Sequence, residues 1–224
     1  MQFMKTLVHD AEQQVAEVIA GQLREQNHVL WLVSGGSNVS SQAHIMERVQ
    51  AQCQDMLHNL TILPMDERYG PKGHANSNTE QLRQAGFTAG NANWCDVLAQ
   101  NKPFAATVSS YTDAAETLFA QATSIIGTFG IGTDGHTAGV LPHSPALYDN
   151  ETAVVGYSAD PYERMTLTPA WLVRCQAAYV FAFGEAKHAV LQDLAQNRHS
   201  LETMPAKLLW DIPACNVYNE YIGE

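Results

Sequence analysis

The chain has 224 residues, and its 12 Lys or Arg against 23 Asp or Glu give a formal net charge of −11. Apolar residues make up 46% and charged residues only 16%, below the roughly 25% charged of an ordinary soluble domain. This length buries a large core without disulfide or metal staples, and the acidity speaks against wrapping a nucleic-acid backbone or lying on an anionic membrane.

In chain order, Asp10 reads as an N-cap for a helix carrying Val15, Val18, Ile19 and Leu23 at helical spacing. Val29-Leu30-Trp31-Leu32-Val33 reads as a fully buried strand, followed by Ser34-Gly35-Gly36-Ser37 and a helix to about Cys53. Leu60 to Leu63 is a second strand, leading through a polar loop to a helix capped near Ser77 or Asn78. A short strand over Trp94 to Leu98 precedes a helix from about Asp113 to Ala122. Ser124 to Gly130 is the next strand, with two more over Thr152 to Tyr157 and Arg164 to Thr168. Ala177 to Phe183 ends the series, followed by a helix from Glu185 to about Ala195.

Continuous apolar strands alternating with helices predict an α/β fold: one domain over 1–224, a doubly wound, mostly parallel sheet with helices on both faces. The four cysteines stand 42, 80 and 40 residues apart, so no C-x-x-C pair forms a zinc or redox motif. The nine histidines follow no metal-ligand spacing, and neither metal nor cofactor is expected. Met1 to Gln13 contains no apolar signal core, and Val29 to Val33 is too short to cross a bilayer. A cytoplasmic protein, monomeric or a small homo-oligomer, is expected.

In doubly wound sheets ligands bind beyond the carboxyl ends of the strands, so the loops there are where chemistry belongs. Ser34-Gly35-Gly36-Ser37 joins a strand to a helix N-terminus, whose free N–H groups suit a phosphate. It is not a nucleophile elbow, because G-x-S-x-G aligned on Ser37 needs glycine where Val39 stands. Asp66-Glu67-Arg68-Tyr69-Gly70-Pro71-Lys72-Gly73-His74 packs acids and cations at the end of the neighbouring strand. Gly130 to Gly135 matches G-x-G-x-x-G literally, but Pro142 interrupts the helix that a dinucleotide loop must open. The informative pair there is Asp134 and His136: a carboxylate beside an imidazole fixes its tautomer and supports it as a general base. His143, beyond the turn and beside Pro142, ranks below His136. No Lys or Arg occurs between Lys102 and Arg164, so an anion near this loop must recruit cations from elsewhere, with Arg164 and Lys187 as candidates.

Together these segments resemble the 6-phosphogluconolactonase family, which shares its fold with glucosamine-6-phosphate deaminases. Ser34-Gly35-Gly36-Ser37 resembles its SGGS loop, and Asp66-Glu67-Arg68-Tyr69 with His74 and Ser77-Asn78 resembles its DERxV…H…SN segment. Gly132 to Ala138 resembles the signature GxDGHTAS, with Pro142-His143-Ser144-Pro145 following. Arg164 to Thr168 resembles RITLT, and Gly184-Glu185-Ala186-Lys187 resembles GAEK. The resemblance implies metal-independent hydrolysis of a phosphorylated sugar lactone, 6-phosphogluconolactone, to 6-phosphogluconate in the oxidative pentose phosphate pathway. It also implies that His136 activates water, Asp134 orients His136, Ser34 to Ser37 with Arg164 and Lys187 hold the phosphate, and Arg68 lies beside polar groups of the substrate. Asp66 matches the proton-moving base of the deaminase branch. That branch carries a glutamate five residues after the histidine, where this chain has Leu141, so the lactonase is favoured. Asn38-Val39 replaces the family's Thr-Pro, and Gly139 replaces the serine of HTAS, departures that leave a non-catalytic sugar-phosphate-binding relative as a third reading.

Overall fold

The computed structural model describes residues 1–223. The elements are β1 (Gln2–Lys5), α1 (Val8–Arg24), β2 (Val29–Val33), α2 (Val39–Cys53), β3 (Leu60–Pro64), β4 (Asp66–Arg68), α3 (Asn78–Gln84) and β5 (Asn93–Trp94). After these come α4 (Phe104–Gln121), β6 (Ser124–Phe129), β7 (Val154–Ala159), β8 (Tyr162–Leu167), α5 (Pro169–Leu172), β9 (Ala177–Phe181), α6 (His188–Gln196) and β10 (Ala214–Asn219). Seven strands form a wholly parallel sheet in the order β1-β10-β9-β6-β2-β3-β5, while β4, β8 and β7 form a separate antiparallel sheet.

Strand β2 is buried along its whole length and alternates between the two faces of the sheet. Val29, Trp31 and Val33 join the apolar layer beneath α1 and α2, with Val15, Ile19, Ile45 and Val49. Leu30 and Leu32 face the other layer, where Tyr111 and Phe119 of α4, Leu191 of α6, and Met165 and Leu167 of β8 pack. Helices therefore cover both faces, as continuous apolar strands require. The small sheet adds to one of those layers. A single residue, Met65, joins the two sheets: its N–H donates to Val33 O at 2.7 Å and its carbonyl accepts from Leu167 N at 2.8 Å.

Several boundaries differ from the sequence expectation. Leu7 is the N-cap of α1, and Asp10 sits inside its first turn, where its charge complements the helix N-terminus without a capping bond. Helix α4 starts after Pro103, well before Asp113, because one buried residue per turn (Thr107, Tyr111, Ala115, Phe119) is enough to seat it. Strand β5 has only two residues. The polar loop after β3 opens with a strand, since Asp66 to Arg68 pair with Arg164 to Thr166. The helix expected from Glu185 starts as a 3-10 turn and becomes α6 at His188. Strands β1 and β10 extend the large sheet beyond β9. Among the described residues no helix is long and apolar enough to cross a membrane.

Candidate functional site

The large sheet reverses its winding at β2: the chain steps outward to β3 and β5, then returns on the other side as β6. The loops after β2 and β6 therefore part at a topological switch point, the crevice where doubly wound sheets bind ligands. A cavity of about 290 Å³ opens there. Ser34, Gly35, Gly36, Ser37, Asp66, Arg68, His136, Arg164 and Lys187 line it. Asp134, the remaining expected residue, stands behind His136.

The β2 loop is held from beneath. Gln42, fully buried in α2, accepts from Ser34 N at 2.8 Å and donates to Ser34 O at 2.6 Å. Thr128 donates to the same Gln42 oxygen at 2.8 Å. Ser34 Oγ donates to Thr128 O at 3.1 Å, so its proton is committed to the scaffold rather than offered to a ligand. Gly36 has φ +76, a backbone that glycine adopts freely. A 3-10 turn over Gly36–Asn38 then runs into α2 without a side-chain cap at either start. Amide N–H groups at such an uncapped helix start are donors for an anion.

The β6 loop carries the imidazole. Gly132 N donates to His136 O at 2.8 Å, and Gly135 N to Gly132 O at 3.0 Å, closing a tight turn. His136 Nδ1 lies 2.6 Å from Asp134 Oδ1, which also accepts from His136 N at 3.2 Å. Burial alone would raise the Asp134 carboxyl, but the charge and hydrogen bonds of His136 outweigh it and hold it below its ordinary value. With Nδ1 committed to a carboxylate, Nε2 is the ring nitrogen left for a reacting group. Gly132 passes so close beneath this pair that a Cβ there would overlap both side chains. No helix follows the glycines, in keeping with rejection of a dinucleotide loop. His143 is exposed and faces Glu202, 3.5 Å away.

Cations arrive from three directions. Lys187, in the turn after β9, donates to Ile131 O at 2.6 Å and so supplies the β6 loop with the charge it lacks locally. Partial burial lowers its pKa, opposed by the charge of Asp134. Arg68 and Arg164 are directly opposite each other on β4 and β8. Arg164 is the third residue of its strand, not the first. Between these groups Asp66 is buried, accepting from Asn78 Nδ2 at 2.9 Å. Burial, then the neighbouring Glu67, push its pKa up to about 6, partly opposed by Asn78 and the two arginines.

Sequence reasoning passed over Glu67, Asn78 and Gln42. Glu67 is fully buried and accepts from Arg68 N, Asn78 N, Ser77 Oγ and Thr79 N at 2.6–3.0 Å, anchoring the start of α3 to β4. Asn78 lines the cavity and presses so closely on Gly35 that a Cβ at 35 would overlap it. Glu67 and Asn78 stood in the quoted segments, but only the fold shows that they brace each other.

The family model of glucosamine-6-phosphate isomerases/6-phosphogluconolactonase matches residues 3–215. The chain belongs to this family. It is 28% identical over 189 residues to a 6-phosphogluconolactonase of Pseudomonas aeruginosa, covering 79% of this chain and 77% of that one. A 6-phosphogluconolactonase structure from Shewanella baltica superposes with a TM-score of 0.79 at 23% identity, covering 98% and 97% of the two chains. A monomeric glucosamine-6-phosphate deaminase superposes with a TM-score of 0.76 at 18% identity, over 98% of this chain and 97% of that one. The fold is thus common to both branches of the family, and side chains must choose between them.

Against the family pattern, Gly139 has a packing reason. A Cβ there would lie 2.8 Å from both Asp66 Cβ and Thr166 Cβ, and Gly139 N donates to Thr166 Oγ1 at 3.2 Å. Here glycine lets the histidine loop seat directly on the small sheet. Asn38 is buried, and its Oδ1 accepts from Ser37 Oγ at 3.4 Å. At the deaminase glutamate position Leu141 packs against the core. Asp149, the next acid along, accepts from Glu151 N, Thr152 N and Thr152 Oγ1 within its own turn.

Proposed function

We propose that this protein hydrolyses 6-phosphogluconolactone to 6-phosphogluconate, the activity named for its relatives. The observation that carries the reading is the Asp134–His136 pair, 2.6 Å apart, facing the same cavity as Arg68, Arg164 and Lys187. An ester carbonyl at one end and a phosphate at the other fit such a site.

In this reading His136 Nε2 takes a proton from water as its oxygen attacks the lactone carbonyl, giving a tetrahedral oxyanion. Asp134 holds the ring and stabilises the imidazolium that forms, as carboxylates do in other His-based hydrolases. Collapse of the intermediate breaks the bond between the carbonyl carbon and the ring oxygen, and the imidazolium returns its proton to that oxygen. No step requires a metal or a cofactor. Arg164, Lys187, Arg68 and the amides at the start of α2 hold the phosphate.

The deaminase reading is weaker because Leu141 supplies no carboxylate toward His136 and Asp149 is committed to its own turn. Purified protein is expected to hydrolyse the phosphorylated lactone well above the spontaneous rate, and His136→Ala to remove that excess. An unchanged rate in this variant refutes the mechanism. Ammonia release from glucosamine 6-phosphate would favour the other branch, and phosphate-dependent binding without turnover a non-catalytic relative.

A further inference from the structure

Two arginines face each other across neighbouring strands at the mouth of the site, and like charges placed so repel. Among the described residues no carboxylate lies within 4.0 Å of either guanidinium. Arg68 has one anchor, Nη1 donating to Asn76 O at 3.2 Å. The Nε atoms of both side chains are buried without a hydrogen-bond partner. Asp66, two residues before Arg68 on the same face of β4, is itself buried and tied to Asn78. Something else must keep the two cations together before a ligand arrives.

Tyr162 is placed to do so. It lies two residues before Arg164 on β8, hence on the same face of the strand. The Arg68 guanidinium carbon is 5.2 Å from its ring centre and that of Arg164 is 5.5 Å away. Both are inside the range where the electron-rich face of an aromatic ring attracts a cation. One ring therefore serves both guanidiniums. We propose that Tyr162 is a positioning residue that gathers Arg68 and Arg164 into one preformed clamp for the phosphate of the substrate. The clamp costs no ordering when the dianion binds, and the dianion then relieves the repulsion between the two arginines. Because the ring stands outside the cavity lining and acts through the arginines, it governs binding rather than the chemical step. The inference rests on the sugar-phosphate reading of the cavity.

The test compares wild type with Tyr162→Phe, which keeps the ring, and with Tyr162→Leu and Tyr162→Met, which replace it with apolar bulk. Binding of inorganic phosphate and of 6-phosphogluconate is measured by calorimetry, alongside KM and kcat on phosphorylated and unphosphorylated lactone. Two ring contacts at a few-fold each predict on the order of tenfold weaker binding of both anions, and a matching rise in KM, in the Leu and Met variants. Their kcat, melting temperature and rate on the unphosphorylated lactone stay near wild type, and Tyr162→Phe stays within about twofold throughout. Wild-type affinity in the Leu and Met variants overturns the proposal, as does a Phe variant as weak as Leu, or a loss confined to kcat. So does a wild type that binds neither anion. Absence of lactone turnover, with phosphate binding still weakened in Leu and Met, removes the lactonase reading and leaves the clamp standing.

Discussion

Restoring the family's serine at position 139 should damage this protein. Carbon atoms pack at roughly 3.5–4.0 Å, and a Cβ on residue 139 would stand 2.8 Å from the Cβ atoms of both Asp66 and Thr166. Both neighbours are buried strand residues paired in register on β4 and β8, so neither can turn away. The histidine loop must lift by about 1 Å to reach an ordinary separation. Overpacking of this kind costs about 1–3 kcal/mol, and the lift also breaks the bond from Gly139 N to Thr166 Oγ1, worth about 1 kcal/mol more. A displacement of about 1 Å at a catalytic group is enough for a hundredfold loss of rate. Gly139→Ser is therefore expected to lower the melting temperature by roughly 4–16 °C and kcat/KM on the phosphorylated lactone by about two orders of magnitude. Thermal denaturation and a lactonase assay corrected for spontaneous opening measure both. Gly21→Ala is the control: nothing lies within 4 Å of its Cβ, and within α1 the change should stabilise by about 0.5–1 kcal/mol. A Gly139→Ser protein as stable and active as wild type would refute the packing argument.

Gly132→Ala should cost about a hundredfold in kcat with a melting temperature nearly unchanged, because the displaced His136 is 38% exposed and can swing into solvent. Asp66 ionises near pH 6 in the fold and at 3.8 when free. Its neutral form is thus favoured by folding: that stabilisation is full below about pH 4 and lost as pH rises through 6. Asp66→Asn should accordingly stabilise the fold above pH 6, by up to about 3 kcal/mol, with no gain at pH 4 in denaturant titrations. Glu67→Gln replaces an oxygen that accepts two bonds with a nitrogen that accepts none, lowering stability by about 2–4 kcal/mol, read from the midpoint of urea unfolding. Lys187→Met should raise KM for the phosphorylated lactone about tenfold or more, while leaving the unphosphorylated substrate largely unaffected in parallel kinetics.

The large sheet was legible where strands are buried on both faces: Val29 to Val33 and Ala177 onward carry unbroken apolar runs that need no tertiary knowledge. Strand β4 was not, because Asp66-Glu67-Arg68 is a charged triplet, and what makes it a strand is its partner a hundred residues away. The start of α4 was obscured by a stripe only one residue wide. Strands β1 and β10 were missed because β1 is a short edge strand and β10 mixes Asn216 and Asn219 into its apolar pattern. The Ser34–Ser37 loop, the Asp134–His136 turn and the three cations were readable as residue types in particular segments. Their braces were not: Gln42, Glu67 and Tyr162 act through register and burial, which a linear pattern does not encode.

The join at Met65 has a consequence for substrate choice. The imidazole follows a strand of the parallel sheet and the two arginines stand on the antiparallel one, and the backbone bonds of Met65 together with the bond from Gly139 N to Thr166 Oγ1 fix the two sheets against each other. The site therefore works as a caliper with a fixed jaw on each sheet. If the arginines take the phosphate and His136 serves the carbonyl, as proposed above, the distance between those two groups is the quantity such a site reads. A phosphorylated lactone one carbon shorter is then expected to be a poorer substrate in kcat/KM.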